Sequence, residues 1–236
     1  MAKIDFDEAV SWVAREAVAH PNKLALALAE HFGVGRTAAA TVIAKLVEQG
    51  YLLRSGAANN PVFSAGKRRL MVDSYSLPGI DAKMMWEQEF APFLDLSEEV
   101  AAVARNGFIS VAHNANRHSK ASGLYVVVEQ TPRYLEMTLS DNGAGIFRKI
   151  AQKIKTKDLT LAVTALSDGR AANATARKAT TDIRSLASGF AEFSVEANGL
   201  RFPAPKAKKK AALPEEDMPE LGTSVFMKLA LKKRNS

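Results

Sequence analysis

Two short stretches carry the residue types best suited to ligand chemistry in this chain. The first is Leu-Ser-Asp-Asn-Gly-Ala-Gly-Ile-Phe, in which Asp141 precedes Gly143 and Gly145. A carboxylate accepts hydrogen bonds from amine donors, and glycines tolerate positive φ, so the stretch could be a ligand-binding loop. Asn-Gly is also a strong hairpin signal, and Gly-x-Gly begins a dinucleotide fingerprint.

The residues after this stretch decide among the three interpretations. A hairpin needs a second alternating strand, but Ile146, Ile150 and Ile154 recur every four residues, which predicts a helix. A dinucleotide fingerprint needs a third glycine, and that position is Arg148. The stretch is therefore predicted to be a loop between a strand and a helix. The outward face of that helix is predicted to carry Lys149, Lys153 and Lys155.

The second stretch is His-Asn-Ala-Asn-Arg-His-Ser, which contains Asn114 and His118. It lies in a long helix predicted over 97–120, with Ser97 as the N-cap and two acidic residues in the first turn. Two strands are predicted to follow, over 124–129 and 134–140. The order is long helix, strand pair, aspartate-glycine loop, helix.

This order and both motifs resemble the GHKL superfamily of ATP-binding domains, the fold of gyrase, histidine kinases and anti-sigma kinases. The resemblance implies an α/β two-layer sandwich of the Bergerat type that binds ATP or ADP with Mg²⁺. It implies that Asp141 contacts the adenine amine, that Asn114 binds the metal and that His118 lies near the phosphates. The remaining cofactor-binding residues implied by the resemblance are Gly143, Gly145, Ile146 and Thr223.

Two features depart from the family pattern. Members that hydrolyse ATP carry a Glu four residues before the Asn, where this chain has Ser110. Loss of a positioned base lowers a rate by roughly 10²–10⁴. The lid that is glycine-rich in the family corresponds to residues 176–185, which contain no glycine. Thr180-Thr181-Asp182 is predicted to begin a helix there. The resemblance therefore implies a nucleotide-binding domain deficient in hydrolysis.

The first 66 residues predict helices over 4–19, 23–32 and 36–49, then strands over 51–54 and 62–64. This is the winged helix-turn-helix arrangement, and the amino-acid sequence of this region resembles that of bacterial winged-helix regulators. The third helix would be the recognition helix. The predicted contacts with double-stranded DNA are Arg36, Thr37, Thr41 and Lys45 on that helix and Arg54 on the wing. Protein contact or dimerisation is the alternative role.

The amino-acid composition excludes several classes of protein and of binding site. The chain has 236 residues, no Cys and four scattered His, which excludes disulfides and thiolate sites and argues against zinc. The net charge of +7 suits a polyanionic partner or solvated basic loops. No apolar run approaches the roughly 20 residues of a membrane span, and the N-terminus does not resemble a signal peptide. A cytoplasmic protein without membrane attachment is predicted.

The fold class predicted is α+β, in three parts. These are a winged helix over 1–66, a linker and packing helix over 67–95, and a GHKL domain over 96–236 with a disordered loop at 203–220. The resembling subgroup pairs such chains with STAS-like domains, so DNA, a STAS-like protein or a second copy are the expected partners. The leading hypothesis is a bacterial regulator in which nucleotide binding controls the winged helix. The alternatives are an active serine kinase of the anti-sigma type and a scaffold that binds no nucleotide.

Overall fold

The computed structural model describes residues 4–168, 174–203 and 222–231, without the side chains of 168 and 174–180. The disordered loop predicted at 203–220 lies outside the described residues, except for Pro203. Helices and antiparallel strands both contribute to the fold, which confirms the predicted α+β class.

The N-terminal unit contains three helices and a two-stranded hairpin, at the predicted positions. The elements are α1 (Phe6–Ala19), α2 (Leu24–His31), α3 (Arg36–Glu48), β1 (Leu52–Ala57) and β2 (Asn60–Ala65). Asp5 begins α1 by accepting hydrogen bonds from the backbone N–H groups of Asp7 and Glu8. Apolar residues at helical spacing form a core of their own. Its most buried members include Val13, Leu24, Leu28, Ala39 and Leu46.

The rest of the described chain builds a six-stranded antiparallel sheet in the order β3-β4-β5-β8-β6-β7. The strands are β3 (Arg69–Ser76), β4 (Gly123–Gln130), β5 (Tyr134–Asp141), β6 (Glu192–Ala197), β7 (Leu200–Phe202) and β8 (Thr223–Ala230). The helices are α4 (Ala82–Met84), α5 (Glu98–His118), α6 (Ile146–Lys153), α7 (Leu159–Asp168) and α8 (Ala174–Ser188). A π-helix (Met85–Phe90) and a 3₁₀ turn (Ala91–Phe93) continue α4.

The long helix α5 packs on the apolar face of this sheet. Alternation along β5 buries Leu135, Met137 and Leu139 on that face. Gly107 sets how closely α5 approaches, because an added Cβ would lie 2.5 Å from the Phe190 ring. This close approach fixes the distance between the following turns of α5 and the sheet.

Residues 67–95, predicted as a linker and packing helix, also contribute a strand. The edge strand β3 pairs with β4 along its whole length, with Met71 opposite Val128. The strand was missed because only Met71 of β3 is buried, so its sequence lacks a regular apolar alternation. The predicted packing role of this segment is confirmed, since Trp86 and Phe90 lie 5.4 and 5.0 Å from the Phe108 ring of α5.

Helix α1 contributes to both hydrophobic cores. Its residues Val10, Val13 and Ala17 belong to the N-terminal core, whereas Ala14 packs in the core of the sheet. The neighbouring Arg15 forms a two-pronged ion pair with Asp73 of β3. The N-terminal unit and the sheet are therefore joined by a helix that both of them bury.

No helix within the described part of the chain combines the length and apolar character needed to cross a membrane.

Candidate functional site

A cavity of about 1120 Å³ lies between α5, α6, α8 and the strands β6 and β8. Four of the residues predicted from the sequence line it, namely Ser110, Asn114, His118 and Ile146. Part of the cavity wall is apolar, with contributions from Val103, Phe190, Phe193, Val195 and Val225. Polar and charged side chains occupy much of the rest. This combination suits a ligand with a flat apolar part and a charged part.

The spacing along α5 explains why three predicted residues meet in one place. Ser110, Asn114 and His118 are four residues apart, so they occupy successive turns on one face of the helix. Asn116 is also in the motif but has a structural role. Its amide accepts a hydrogen bond from Gly79 N at 3.0 Å and donates to the Ile80 carbonyl at 3.0 Å. The two asparagines therefore have different roles: Asn114 lines the cavity, whereas Asn116 binds the backbone at Gly79 and Ile80.

The lysines of α6 are placed differently from the prediction. Lys149 and Lys153 were expected on the outward face, but both line the cavity, beside Gln152. Ile150 and Phe147 are buried beneath them, as the helical period requires. The face of α6 that is directed away from the sheet core forms one wall of the cavity, to which α5 and α8 also contribute. Sequence periodicity identified this face as polar but could not show what lies opposite it.

Asp141 lies at the end of β5 and is only 4% exposed. Its carboxylate accepts a hydrogen bond from the backbone N–H of Gly143 at 2.8 Å, and Thr223 lies close enough to oppose the rise in its pKa. The Thr223 hydroxyl oxygen in turn accepts a hydrogen bond from Ile146 N at 3.0 Å, at the start of α6. Asp141 and Thr223 pair directly across β5 and β8.

The glycines of the loop make close approaches to other parts of the protein. A Cβ on Gly143 would lie 2.2 Å from the Ser119 carbonyl oxygen, which accepts a hydrogen bond from Ala144 N at 2.9 Å. Gly145 has a φ of +84°, and a Cβ there would lie 2.2 Å from the Asn198 amide oxygen. Asn198 donates to the Ala144 carbonyl at 3.1 Å. The loop is a junction that ties α5, α6 and the β6–β7 turn together.

Electrostatics at the site reflect crowding of positive charge. Burial lowers the pKa of His118, and the nearby Lys149, His113 and Lys153 lower it further. Burial also lowers the pKa of Lys149, although Asp141 opposes that shift. Burial raises the pKa of Asp141, against the hydrogen bond from Gly143 and the charge of Lys149. The positive groups therefore repel one another, and Lys149 lies near enough to sense the Asp141 charge.

Residues 176–185, for which the resemblance implied a lid, belong to a helix beside the cavity. Helix α8 begins at Ala174, so the prediction that a helix starts at Thr180-Thr181-Asp182 is wrong. Alanines and the absence of Gly and Pro allow the helix to extend further toward the N-terminus than the capping pattern indicated. Its Asp182, Ile183, Ser185 and Leu186 line the cavity. The wall is thus made of side chains along a helix and not of a helix N-terminus.

The oxygen-bearing side chains of the cavity wall suit a metal ion that is also bound to the phosphates of a ligand. No cluster of three or more His, Cys, Asp or Glu suited to a metal occurs among the described residues. Asn114 contributes an amide oxygen to the cavity wall, and Asp182 a carboxylate. Mg²⁺ commonly takes one or two protein oxygens together with phosphates and waters. The cavity therefore fits Mg²⁺ bound with a ligand's phosphates.

Comparison with known proteins identifies no family for this chain. No protein-family model matches the chain, and no curated protein has a sequence that matches it.

The residues predicted to contact DNA are spread over α3 and the hairpin, and all are exposed. Arg36 and Thr37 begin α3, and the Thr41 hydroxyl donates to the Thr37 carbonyl at 3.0 Å. Lys45 is placed over the Phe6 ring, 3.9 Å from its centroid, which holds it against α1. Arg54 donates to the Ala58 carbonyl at 3.3 Å in the β1–β2 turn.

Sequence reasoning missed several residues of the site. His113 and Lys149 line the cavity, and Asn198 braces the loop from a distant turn. His113 is one residue before Asn114, and its placement follows from the same helical face once the neighbouring α8 is known. The sequence around Asn198 gives no sign of its contact with Gly145, because the two residues are 53 positions apart in the chain.

Proposed function

We propose that the chain is a regulatory protein in which a GHKL-type domain binds ATP or ADP with Mg²⁺, without hydrolysing it, and controls a winged-helix module. The observation that carries the proposal is the meeting of Ser110, Asn114, His118 and Ile146 around one cavity. These residues come from two separate motifs and were selected by resemblance to that family. Their convergence supports the nucleotide site and favours it over a scaffold without ligand.

The absence of hydrolysis is inferred from Ser110. A Glu at this position of the family polarises the attacking water, and a serine hydroxyl cannot do so at ordinary pH. Among the residues described around the cavity, Asp182 is the only carboxylate, and it belongs to α8 and not to the α5 turn before Asn114. This disfavours the alternative of an active serine kinase. Nucleotide occupancy, and not turnover, would then be the signal.

A route from the cavity to the winged helix is inferred from packing. Helix α5, which carries Asn114, contacts Trp86 and Phe90 of the π-helix through Phe108. In the same π-helix, the Glu89 carbonyl accepts a hydrogen bond from Arg15 of α1 at 3.2 Å, and the Glu89 carboxylate accepts one from Tyr75 at 2.6 Å. A shift of α5 on nucleotide binding would reach α1 through this cluster. Because α1 is part of the winged-helix core, its DNA or protein contacts would respond.

The nucleotide proposal is tested by calorimetric titration of the full chain with Mg²⁺ and ATP. We expect saturable binding, weakened by Asn114→Ala, because the metal loses its amide oxygen. Asn114 is half-buried, whereas Glu99 is exposed in the first turn of the same helix and does not line the cavity, so Glu99→Ala serves as a surface control and should bind nearly normally. Absence of binding in the wild-type protein would leave the scaffold as the remaining hypothesis.

Turnover is tested separately by phosphate release. We expect background release from the wild-type protein and a rise of about tenfold or more in Ser110→Glu, which restores a carboxylate before Asn114. Steady release by the wild-type protein that survives Ser110→Ala would refute the claim that the base is missing.

The regulatory half is tested on double-stranded DNA. If α3 and the hairpin bind DNA, affinity falls steeply with salt because phosphates are neutralised. It should fall further in Arg36→Ala, and it should change when Mg²⁺ and ATP are added. Binding that ignores salt, Arg36 and nucleotide would instead favour a protein partner such as a STAS-like domain.

A further inference from the structure

Lys149 of α6 is a half-buried cation on the cavity wall. The other half-buried cations of the described chain each have a hydrogen-bonded or ion-paired partner: Arg15 with Asp73, Arg69 with the Phe93 carbonyl, Arg105 with Glu87, Arg201 with Glu196 and Lys228 with Glu136. Lys149 forms no such contact with another described residue. Because burial of a charge is costly without a partner, its ammonium group keeps hydrogen-bond donors for a ligand in the cavity.

The carboxylate of Asp141 attracts Lys149 from a distance without forming an ion pair with it. Burial lowers the pKa of Lys149, Asp141 opposes that shift, and the charges of Lys153 and Lys120 add to it. The Asp141 carboxylate itself accepts a hydrogen bond from Gly143 N at 2.8 Å. Asp141 therefore compensates the charge of Lys149 only in part.

Further basic groups line the cavity around Lys149. Lys153 follows it by one turn of α6, and His113 and His118 contribute to the wall from α5. Their charges interact, because burial first and then Lys149, His113 and Lys153 lower the pKa of His118. Asp182 of α8 is the only acid among the lining residues that the structure describes. The basic cluster of His113, His118, Lys149 and Lys153 therefore suits a polyanion, whose charge favours the protonated forms of these groups.

The residues of α8 that line the cavity cannot offer backbone donors to such a polyanion. They lie well beyond the first turn of a helix that begins at Ala174, and they are Asp182, Ile183, Ser185 and Leu186. Only the N–H groups of the first turn of an α-helix lack a partner inside the helix, so the N–H groups at these positions donate to carbonyls of α8 itself. On this side of the cavity, a bound phosphate meets side chains and not a row of backbone N–H groups.

Asn114 places an amide oxygen suited to Mg²⁺ next to the basic cluster. It lies one turn before His118 on the same face of α5, and residues with that spacing have Cβ atoms about 5–6 Å apart. Phosphates that share Mg²⁺ with Asn114 would therefore lie beside His118, which interacts electrostatically with Lys149. The metal ion and the basic cluster can thus act on the same polyphosphate.

We propose that Lys149 and the rest of the basic cluster bind the phosphates of the nucleotide directly, in place of the backbone N–H groups of a glycine-rich loop. The inference rests on the proposed nucleotide binding and deepens it, because it assigns the side chains that compensate the phosphate charge. Each additional phosphate adds negative charge and acceptors for charged hydrogen bonds. The affinity should therefore fall from ATP to ADP and again to AMP, and Lys149 should be responsible for much of the difference.

The inference is tested by calorimetric titration of the full chain with ATP, ADP and AMP, each with Mg²⁺ and again with EDTA. Lys149→Gln should weaken ATP binding by about tenfold or more, as expected for loss of a charged hydrogen bond, and AMP binding by less than about threefold. The effect on ATP should persist in EDTA, because Lys149 contacts the phosphates themselves. The effect of Asn114→Ala should disappear in EDTA, because Asn114 acts through the metal ion.

Two further variants control for charge and for folding. Lys157→Gln removes the same charge at an exposed position that does not line the cavity, and it should leave ATP binding nearly unchanged. Lys149→Arg keeps the charge and should retain most of the ATP affinity. Thermal unfolding without ligand should be the same for Lys149→Gln and the wild-type protein, since Lys149 forms no ion pair or hydrogen bond with the described residues.

The outcomes separate this inference from the proposed function. Equal weakening of ATP, ADP and AMP by Lys149→Gln would overturn a phosphate contact at Lys149 while leaving nucleotide binding intact. Equal effects of Lys149→Gln and Lys157→Gln on ATP would overturn it as well. If none of the three nucleotides binds to the folded wild-type protein, the proposed function itself fails, and the inference with it.

Discussion

Arg15 of α1 and Asp73 of β3 form a two-pronged ion pair across 58 residues of sequence. Their side chains are 30% and 24% exposed, so the pair is partly shielded from water. Arg15 also lies over the Phe90 and Phe93 rings, 5.7 and 5.9 Å from their centroids. One side chain thus joins the N-terminal helix, the sheet edge and the π-helix that packs on α5.

Removing this side chain should loosen the N-terminal unit from the sheet. We expect Arg15→Ala to lower the free energy of unfolding by about 2 kcal/mol, because a hydrogen-bonded charge and its packing are lost. Denaturant unfolding measures the change. Arg105 pairs with Glu87 at 2.8 Å but is exposed, so Arg105→Ala should cost less than about 1 kcal/mol. Equal effects of the two substitutions would argue against a joining role for Arg15.

Gly145 should tolerate no side chain. Its φ of +84° and the nearby Asn198 amide both oppose a Cβ, so we expect Gly145→Ala to destabilise by about 2 kcal/mol or more. Gly35 has a φ of −71° and open space around its Cβ position, which makes Gly35→Ala a control with little expected effect. Thermal unfolding of both variants provides the comparison. A harmless Gly145→Ala would contradict the packing of the loop against Asn198.

The stability conferred by Asp141 should depend on pH. Burial raises its folded-state pKa above the ordinary value, so the folded protein binds a proton there more tightly than the unfolded chain does. The wild-type protein should therefore gain stability relative to Asp141→Asn as pH falls through that raised pKa, and lose it as pH rises. Denaturant unfolding of both proteins over a series of pH values measures the difference. A difference that is constant with pH would contradict the burial of the carboxylate.

Nucleotide affinity should increase as pH is lowered toward 6. The pKa of His118 is held down by burial and by Lys149, His113, Lys153 and Arg117, and a bound polyphosphate would raise it. Binding then takes up a proton, and lower pH favours it. His118→Gln should bind with a weaker pH dependence than the wild-type protein in the same calorimetric titration. Parallel pH profiles for the two proteins would place the phosphates away from His118.

Much of the architecture followed from periodicity and capping. The four-residue recurrence of Ile146, Ile150 and Ile154 correctly rejected a hairpin at Asn142-Gly143. The chain does contain an Asn-Gly hairpin turn, at Asn198-Gly199, where both residues have positive φ and Ala197 pairs with Leu200. The dipeptide alone could not distinguish these two positions, but the residues that follow each one could.

The site was only partly predictable because its walls come from separate elements. Helical spacing was enough to bring Ser110, Asn114 and His118 to one face. The placement of Lys149 depended on α8, whose start the capping pattern located too late. The strand β3 was missed because it has no regular apolar alternation, and the polar Asp73 in its middle is held by Arg15 of α1. Such long-range pairings leave no local periodic signal.

We propose that a nucleotide occupies the cavity between α5, α6 and α8 and that α1 responds. Hydrogen–deuterium exchange of the full chain, with and without saturating Mg²⁺ and ATP, tests both parts in one measurement. We predict slower exchange in α5 around Asn114 and in α6 around Lys149, together with a change in α1 around Arg15. Unchanged exchange in α5 and α6 at saturating nucleotide would contradict the account.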